Sequence, residues 1–372
     1  MTSVLPLPRW AEIFVLPVFN LLAAFSVSAL VIWALGENPF HVLHVMIKGA
    51  FVYEGGLGYT LYYATNFLFT GLAVAVAFHA RLFNIGGEGQ AALGGLGVAL
   101  VALNIGAALP WFLLLPLLIV SAAAFGAFWG LVPGYLQAKR GSHIVITTIM
   151  FNLIASAIMV ALLSGVLMAP GQMSPQTLDF VPQALLPKIH GLAARLLGLE
   201  LAPTPLNMAF VIGLFAALGV WLLIWRTRLG YAIRVLGANP QAAHYAGIST
   251  VHITVIVMAL SGALAGMMAL NEVLGANGRL TLNFTAGYGF TGIAVALIGR
   301  NHPVGIILAS LLFGFLYQGG TEIDFEFTTI TREMVLLIQG LIILFSGALY
   351  YLFSPWLARL LSRYSRNKRE AG

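Results

Sequence analysis

Long stretches without charged residues dominate the pattern of this chain. No aspartate, glutamate, lysine or arginine occurs within 89–138, 141–178, 235–271 or 334–358. A helix crosses the hydrocarbon layer with roughly 20 apolar residues, so each stretch can supply one or two crossings. Helices buried in a large soluble core would carry polar outer faces, and these stretches lack them. The pattern therefore predicts a membrane protein.

Ten apolar runs are the predicted spans. They cover 13–35, 60–80, 88–106, 111–136, 143–168, 206–225, 253–274, 287–299, 303–319 and 334–353. We expect an all-α, polytopic transmembrane bundle of about ten helices that forms a single domain over 1–372. The runs at 287–299 and 303–319 are short and are separated by 300–303. They are either full crossings or broken segments buried within the protein.

Basic residues set the expected orientation. If the first run begins inside, 13 of the 18 lysines and arginines fall on cytoplasmic segments, which satisfies the positive-inside rule. Both termini are then cytoplasmic, and the chain has an extracytoplasmic loop at 169–205, a cytoplasmic loop at 226–252 and a basic cytoplasmic tail at 358–372. Most acids, Glu272 among them, fall on the outer side. This topology accounts for the pI of about 9.7, so we expect contact with membrane lipid and none with nucleic acid.

Composition excludes several kinds of chemistry. Only 8% of the residues are charged, against roughly 25% in a soluble domain. The chain has no cysteine, which rules out disulfides and thiolate metal sites. His41 and His44 are three residues apart, but no third ligand completes a metal site. Because we find neither a P-loop nor a nucleophile paired with a base, we expect no catalytic residue, no metal, no cofactor and no ATP hydrolysis by this chain.

A glycine-rich motif predicts a break between the second and third spans. It reads Leu-Phe-Asn-Ile-Gly-Gly-Glu-Gly-Gln at 82–90, and each of its glycines costs a helix roughly 1 kcal/mol relative to alanine. A break exposes backbone groups that must bind water, protein or a ligand. Glu88 also opens the third span, where a helix N-terminus stabilises its negative charge. We interpret the motif as part of a translocation pathway, and the alternative is an ordinary cytoplasmic turn.

Small residues predict close helix packing. Glycines recur every four residues at 126, 130 and 134 in the fourth span and at 262 and 266 in the seventh, a spacing that lets helix backbones approach closely in lipid. An internal repeat is also suggested, because Phe-Thr-Gly-Leu-Ala-Val-Ala at 69–75 resembles Phe-Thr-Gly-Ile-Ala-Val-Ala at 290–296. Both copies would run from outside to inside, as in a parallel repeat. The alternative is a chance match between apolar segments.

The cytoplasmic loop contains a helix with well-defined ends. Asn239 is a good N-cap, Pro240 suits the first helical position and Gly247 provides a left-handed stop. We expect a surface helix of about two turns between them. Such a helix suits docking into a groove of a cytoplasmic motor, and the alternative is an amphipathic segment that lies on the membrane.

Two further groups of residues have alternative roles. The loop at 169–205 is long and is expected to be partly helical, and long loops are usually functional; it either contacts an extracytoplasmic protein or forms an interfacial helix. Asn66 and Asn152 lie within spans, where unpaired polar groups are costly. These asparagines either line the pathway or bridge helices. Tyr288 and Phe290 either face the pathway or have lipid-facing or packing roles.

Three motifs in this order resemble a known family. They are Phe-Asn-Ile-Gly at 83–86 with Glu-Gly-Gln at 88–90, then Leu-Gly at 229–230 through Gly-Ala-Asn at 237–239 to Ala-Gly-Ile at 246–248, and the segment 289–303. They are similar to the permeases of ABC importers in the ribose and branched-chain amino-acid superfamily. The first motif resembles the nucleoside-type group, because sugar-type members usually carry Asp-Leu-Ser-x-Gly at that place. The resemblance covers roughly 60–350.

The resemblance implies a nucleoside permease with partners. These are ABC ATPase subunits, a second permease subunit in a hetero- or homodimer, and an extracytoplasmic substrate-binding protein. A permease for a simple sugar or a branched-chain amino acid is the alternative within the superfamily. A secondary transporter or channel acting without an ATPase is the alternative of another class, although it would more often keep ionisable residues in mid-membrane, where only Glu88 is expected.

The candidate site residues form two groups. The translocation pathway group is Asn66, Asn84, Gly86, Gly87, Glu88, Gly89, Gln90, Asn152, Tyr288, Phe290 and Thr291. The ATPase-coupling group is Arg228, Gly230, Arg234, Gly237, Asn239, Pro240, Gln241, Ala242, Ala243, His244 and Gly247.

Overall fold

The computed structural model describes residues 15–327 together with 334–338, 340, 341 and 344. The chain forms two compact units, one of 1–49 with 318–372 and one of 50–317. The helices are α1 (Leu16–Ala34), α2 (Pro39–Ile47), α3 (Gly56–His79), α4 (Gly87–Ile105), α5 (Trp111–Arg140), α6 (Ile144–Leu163), α7 (Ile189–Leu197), α8 (Ala209–Arg226), α9 (Arg228–Ala238), α10 (Pro240–Tyr245), α11 (Thr250–Gly266), α12 (Tyr288–Ile298) and α13 (Pro303–Glu326). The described residues also include π-helical stretches at Lys48–Val52 and Leu270–Asn277 and a 3₁₀ turn at Pro182–Ala184.

The fold class expected from the sequence is confirmed. In the described part of the chain, seven helices are long and apolar enough to cross a membrane: α3, α4, α5, α6, α8, α11 with its π-helical extension, and α13. The segments Leu22–Ala34 and Pro39–Val52, bent by 118° between them, pass the same test as a pair. The expected tail at 358–372 and most of the run at 334–353 fall outside the described residues. Which termini face the cytoplasm remains a prediction.

The sequence did not decide whether the short runs at 287–299 and 303–319 cross the membrane, and the helices that they form differ in length. α12 has 11 residues, which reach only about 16 Å at 1.5 Å per residue and fall short of a hydrocarbon layer of about 30 Å. α13 has 24 residues and is long enough for a full crossing. The irregular segment 278–287 therefore precedes a half-length helix, and such broken backbone is tolerated in membranes only within protein or beside a cavity.

The glycines of α5 and α11 pack directly against each other. A Cβ atom at Gly262 would overlap the carbonyl oxygen of Gly126, and one at Gly126 would overlap that of Gly262. A Cβ atom at Gly266 would lie 3.0 Å from the Cα of Gly126. The backbones of the two helices are in contact along this face, as the spacing of small residues predicted.

The two copies of the Phe-Thr-Gly motif lie on neighbouring helices, α3 and α12. A Cβ atom at Gly292 would be 2.6 Å from the side chain of Thr70, and one at Gly71 would be 2.9 Å from Val295. The helices run parallel, because Nε2 of His79 at the end of α3 lies 3.1 Å from the carbonyl oxygen of Asn301 just after α12. The predicted parallel orientation is thus observed, while descent from an internal repeat remains a prediction.

Segments predicted to share the cytoplasmic side lie together. The ring of Trp225 at the end of α8 is 5.2 Å from that of His79 and 5.1 Å from that of His302. These three residues join the ends of α3 and α8 to the turn between α12 and α13. Loops assigned to one face of the membrane from their charges are therefore neighbours in the structure.

Candidate functional site

Carboxamide side chains fix the break between α3 and α4. Asn84 donates from Nδ2 to Oε1 of Gln90 at 2.9 Å and to Oγ of Ser261 at 2.8 Å, and its Oδ1 accepts from the backbone N–H of Gly86 at 2.8 Å. Ser261 in turn donates to the carbonyl oxygen of Ala73 at 2.6 Å. Asn84 and Gln90 are both buried. Their hydrogen bonds therefore attach the break to α3 and α11.

Asn152 of α6 bonds to the same break from the other side. Its Oδ1 accepts from the backbone N–H of Gly89 at 2.9 Å, and its Nδ2 donates to the carbonyl oxygen of Ile85 at 2.9 Å. Both backbone groups lie where regular helix pairing is interrupted, so each would be unsatisfied without a side-chain partner. The single carboxamide therefore satisfies one donor and one acceptor that the glycine motif leaves free.

Glu88 joins the N-termini of two helices. Its Oε1 accepts from the backbone N–H of Gly287 at 2.8 Å and its Oε2 from that of Gly289 at 2.9 Å. The helices approach so closely that a Cβ atom at Gly289 would overlap the backbone of Glu88, and one at Gly87 would lie 3.3 Å from the carbonyl oxygen of Gly289. The carboxylate thus lies at the positive ends of α4 and α12, where its charge is stabilised by both helices.

A cavity of about 230 Å³ opens beside this carboxylate. It combines polar and aromatic side chains from α4, α6, the irregular segment and α12. Its lining residues are Glu88, Gly89, Ala92, Asn152, Leu153, Ser156, Met159, Leu282, Asn283, Phe284, Thr285 and Phe290. A pocket with an apolar lining and a few polar groups is the usual form of a small-molecule site.

The irregular segment that forms one wall has an unusual backbone. Asn283 and Ala286 have φ of +59° and +44°, and Gly287 has φ of +79°. Positive φ is expensive for residues with a side chain, above all for alanine. Strained backbone of this kind clusters at binding sites and persists where the surrounding contacts enforce it.

A second polar cluster lies at the first half of α3. The Oε1 atom of Glu272 accepts from the Tyr62 hydroxyl at 2.6 Å and from Nδ2 of Asn66 at 2.5 Å. Asn271 donates to Oδ1 of Asn66 at 2.8 Å and accepts from Nδ2 of Asn207 at 2.9 Å. The cluster links α3, the π-helical stretch and the start of α8 by side-chain hydrogen bonds.

Glu272, which the sequence analysis counted among the outer acids, is buried within a span. Its side chain is 5% exposed and lies in the π-helical stretch Leu270–Asn277, within the span Thr250–Asn277. Glu88 is therefore not alone as an ionisable group inside the bundle. The signal available in the sequence was the pair Asn271 and Glu272 at the end of a long apolar run.

The structure divides the predicted pathway residues into four sets. Glu88, Gly89, Asn152 and Phe290 line the cavity. Asn84, Gly86, Gly87 and Gln90 support the break next to it, and Asn66 belongs to the separate Glu272 cluster. Tyr288 and Thr291 lie on α12 but do not line the cavity: the ring of Tyr288 is buried against Phe67 at 5.4 Å, and Thr291 donates to the carbonyl oxygen of Gly287 at 3.3 Å.

The helix predicted in the cytoplasmic loop is present as α10. Oδ1 of Asn239 accepts from the backbone N–H groups of Gln241 at 2.9 Å and Ala242 at 3.2 Å. Pro240 is the first helical residue, and Gly247 has φ of +73°. Ala243 is buried, whereas Gln241, Ala242 and His244 are exposed. The caps recognised in the sequence therefore set both ends of the helix.

A second helix, α9, precedes α10 and was missed by sequence reasoning. It begins where Oγ1 of Thr227 accepts from the backbone N–H of Gly230 at 3.0 Å. A Cβ atom at Gly230 would overlap the carbonyl oxygen of Leu223 in α8, and one at Gly237 would overlap that of His79 in α3. These two glycines let α9 pack on the ends of both spans, while Arg228 and Arg234 are exposed.

Comparison with known proteins identifies a family for most of the chain. Residues 56–347 match the family described as branched-chain amino acid transport system / permease component. No solved structure matches the chain. Within the described residues, no group of three or more histidines, cysteines, aspartates or glutamates is placed to hold a metal ion.

Three curated relatives cover almost the whole chain. The glucose ABC transporter permease protein TsgB13 of Haloferax volcanii is 34% identical over 340 residues, 91% of this chain and 88% of that protein. The guanosine ABC transporter permease protein NupP of Bacillus subtilis is 33% identical over 345 residues, 90% and 93% of the two chains. The nucleoside ABC transporter permease protein NupB of Lactococcus lactis is 30% identical over 330 residues, 88% and 89%. The chain therefore belongs to the branched-chain amino acid transport system permease family, and it is the permease component of an ABC transporter, a multi-pass protein of the bacterial inner membrane.

Proposed function

We propose that this permease imports nucleosides or related purine and pyrimidine compounds, and that the cavity beside Glu88 is part of their pathway. The observation that carries the proposal is the lining of this cavity, where the phenylalanines 284 and 290 accompany the carboxamides of Asn152 and Asn283. A nucleobase has flat faces that stack on aromatic rings and polar edges that pair with carboxamides. The guanosine and nucleoside permeases among the relatives support the same solute class.

The contact between α4 and α12 is the proposed gate. Glu88 holds the two helix N-termini together through Gly287 and Gly289, and glycines on both sides leave no side chain between the backbones. Separation of these ends would open a passage from the cavity along the break. The carboxylate therefore acts as a latch whose two hydrogen bonds must part and re-form in each transport cycle.

The energy source is proposed to lie on separate ATPase subunits that dock at α10. The helix is short and capped at both ends, with exposed residues at Gln241 and His244. It follows α9, whose Gly237 contacts the end of α3, so that a force on α10 is passed to α3 and the adjoining break. A second permease subunit and an extracytoplasmic binding protein complete the proposed importer.

Uptake by reconstituted vesicles tests the proposal. The complex of this chain with its partner subunits should take up labelled guanosine only when ATP is hydrolysed, and excess unlabelled adenosine or uridine should compete whereas glucose and leucine should not. Asn239→Ala, which removes the cap of α10, should lower uptake. Guanosine uptake that continues without ATP or without the ATPase would contradict the importer assignment.

A sugar permease is the second candidate. The glucose permease of Haloferax volcanii is 34% identical to this chain, and the polar groups of Glu88, Asn152 and Asn283 suit sugar hydroxyls as well as base edges. Competition by glucose but not by nucleosides in the vesicle assay would favour this candidate. Competition by leucine would favour a branched-chain amino acid, the solute in the name of the family.

One observation favours a transporter that works without an ATPase. The buried Glu272 is an ionisable group inside the bundle, and such groups often serve ion coupling in secondary transporters. In that case a proton or sodium gradient would drive guanosine uptake in vesicles that contain this chain alone. The family membership argues for the ATP-driven importer, and the same assay separates the two.

A further inference from the structure

The extracytoplasmic loop is joined to the cavity wall by a short antiparallel pairing, which we call the outer strap (175–180 on 278–282). Thr177 donates from its backbone N–H to the carbonyl oxygen of Leu280 at 3.0 Å. The backbone N–H of Leu280 donates in return to Oγ1 of Thr177 at 3.1 Å. The backbone N–H of Leu282 donates to the carbonyl oxygen of Pro175 at 3.2 Å. Thr177 is 1% exposed, so its hydroxyl has no access to bulk water.

Further bonds continue the strap at its outer end. The backbone N–H of Phe180 donates to the carbonyl oxygen of Gly278 at 2.8 Å. Nε of Arg279 lies 2.9 Å from the carboxylate of Asp179, but this pair is partly exposed and contributes little. The backbone hydrogen bonds and the Thr177 hydroxyl therefore carry the attachment.

The cavity wall begins where the strap ends. Leu282 belongs to the strap and lines the cavity, and the next three residues, 283–285, line it as well. The wall has no regular secondary structure of its own, and it contains the positive φ angles of Asn283 and Ala286. Its far end is held at Gly287 by Glu88. A strained segment that is fixed at both ends takes its shape from those ends.

We propose that Thr177 is a positioning residue for the cavity wall, and that the outer loop and the wall move as one body during transport. This inference rests on the proposed function, because it assumes that the cavity is the solute pathway. An extracytoplasmic binding protein that displaces the loop would then displace Asn283 and Phe284 directly. The strap stays paired throughout the cycle, and the change of shape occurs at the other end of the wall, at the contact with Glu88.

Substitution of Thr177 tests the positioning role. Thr177→Val keeps the shape of the side chain but removes the oxygen that accepts from Leu280, and a buried donor left without a partner is costly. We expect guanosine uptake to fall at least about fivefold, because the cavity wall is no longer held in register with the loop. Basal ATP hydrolysis should be unchanged, because the helices themselves stay intact. Thr177→Ser, which restores the oxygen, should recover the rate.

A matched threonine in the same loop provides the control. Thr204 is also buried, at 8% exposure, but packs against Gly58 at the start of α3, away from the strap. Thr204→Val should leave uptake within about twofold of the unmodified chain. Equal uptake by Thr177→Val and Thr204→Val would overturn the positioning role.

A disulfide across the strap tests whether the two segments move together. Gln176 and Thr281 form an antiparallel bridge whose flanking hydrogen bonds make them a non-hydrogen-bonded pair, the closer of the two pair types and one suited to a disulfide. The chain has no other cysteine. Gln176→Cys with Thr281→Cys should cross-link on mild oxidation, and the oxidised protein should transport guanosine within about twofold of the reduced protein.

Two results of the disulfide experiment would overturn the proposal. One is failure of the cysteines to cross-link, and the other is a loss of uptake on oxidation that a reductant reverses, which would mean that the strap must open. The unmodified chain in the same vesicles is the control that distinguishes failure of the proposed function from failure of the strap hypothesis. If it fails to take up guanosine, the proposed function fails, whereas only a difference between variants bears on the strap.

Discussion

Replacing Glu88 with alanine is expected to lower ATP-dependent guanosine uptake by about 100-fold. The carboxylate accepts from the backbone N–H groups of Gly287 and Gly289, and hydrogen bonds to a charged group contribute about 1.5–3 kcal/mol each. Without it, the N-termini of α4 and α12 would face each other with no negative charge between them. Loss of about 3 kcal/mol corresponds to a factor of about 100. Glu88→Gln should be intermediate, because an amide offers a single oxygen as acceptor.

The control for this experiment is an acid that makes no such contact. Glu54 is exposed in the turn before α3, and Glu54→Ala should leave uptake within about twofold of the unmodified chain. Glu88→Ala also leaves the backbone N–H groups of Gly287 and Gly289 without their acceptor, which lowers the stability of the fold. Uptake is therefore compared per amount of folded protein in the vesicles. Uptake by Glu88→Ala close to that of Glu54→Ala would refute the proposed role of Glu88 as a latch between α4 and α12.

Replacing Glu272 with leucine is expected to destabilise the protein by about 3 kcal/mol, since each buried donor left without a partner costs about 1–3 kcal/mol. The hydroxyl of Tyr62 and Nδ2 of Asn66 would both lose their acceptor. Glu272→Gln keeps an oxygen at this position and should cost less than half as much. The free energy of unfolding in mixed micelles measures both effects.

Two comparisons show whether the hydrogen bonds of Glu272 or its negative charge stabilise the protein, and the first uses an exposed acid. Glu54→Leu introduces the same residue at an exposed site and should change the free energy of unfolding by less than about 0.5 kcal/mol. If Glu272→Leu were no more harmful than Glu54→Leu, the buried cluster would not contribute to stability. If Glu272→Gln were as harmful as Glu272→Leu, the negative charge itself, rather than the hydrogen bonds, would be required.

Features determined by local sequence could be predicted. The uncharged runs identified the spans because a helix that crosses the hydrocarbon layer consists mainly of apolar residues. The ends of α10 followed from Asn239 and Gly247, since caps are recognised by residues next to the helix. The glycine motif at 82–90 placed the break correctly because glycine disfavours helix wherever it occurs repeatedly.

Features determined by distant residues could not be predicted. The burial of Glu272 depends on Tyr62 and Asn66, about two hundred residues earlier in the chain, so its own neighbours gave little indication of it. The strap pairs Thr177 with Leu280, which are 103 residues apart in the chain. The glycines 230 and 237 were assigned to ATPase coupling, and nothing in the sequence indicated that they also make room for α8 and α3. Which of the predicted residues line a cavity was likewise decided by packing between helices.

The solute protection of a cysteine in the cavity tests the central claim most directly. Ser156 lines the cavity and is exposed to it, and the chain has no cysteine of its own, so Ser156→Cys provides a single reactive thiol. In the assembled, ATP-driven complex, guanosine should slow its modification by a thiol reagent at least about fivefold, while glucose should have no effect. Ser174→Cys, on the loop at 169–205 and not part of the cavity lining, should react at the same rate with and without guanosine. If Ser156→Cys reacts at the same rate with and without guanosine while uptake proceeds, the solute does not pass through this cavity.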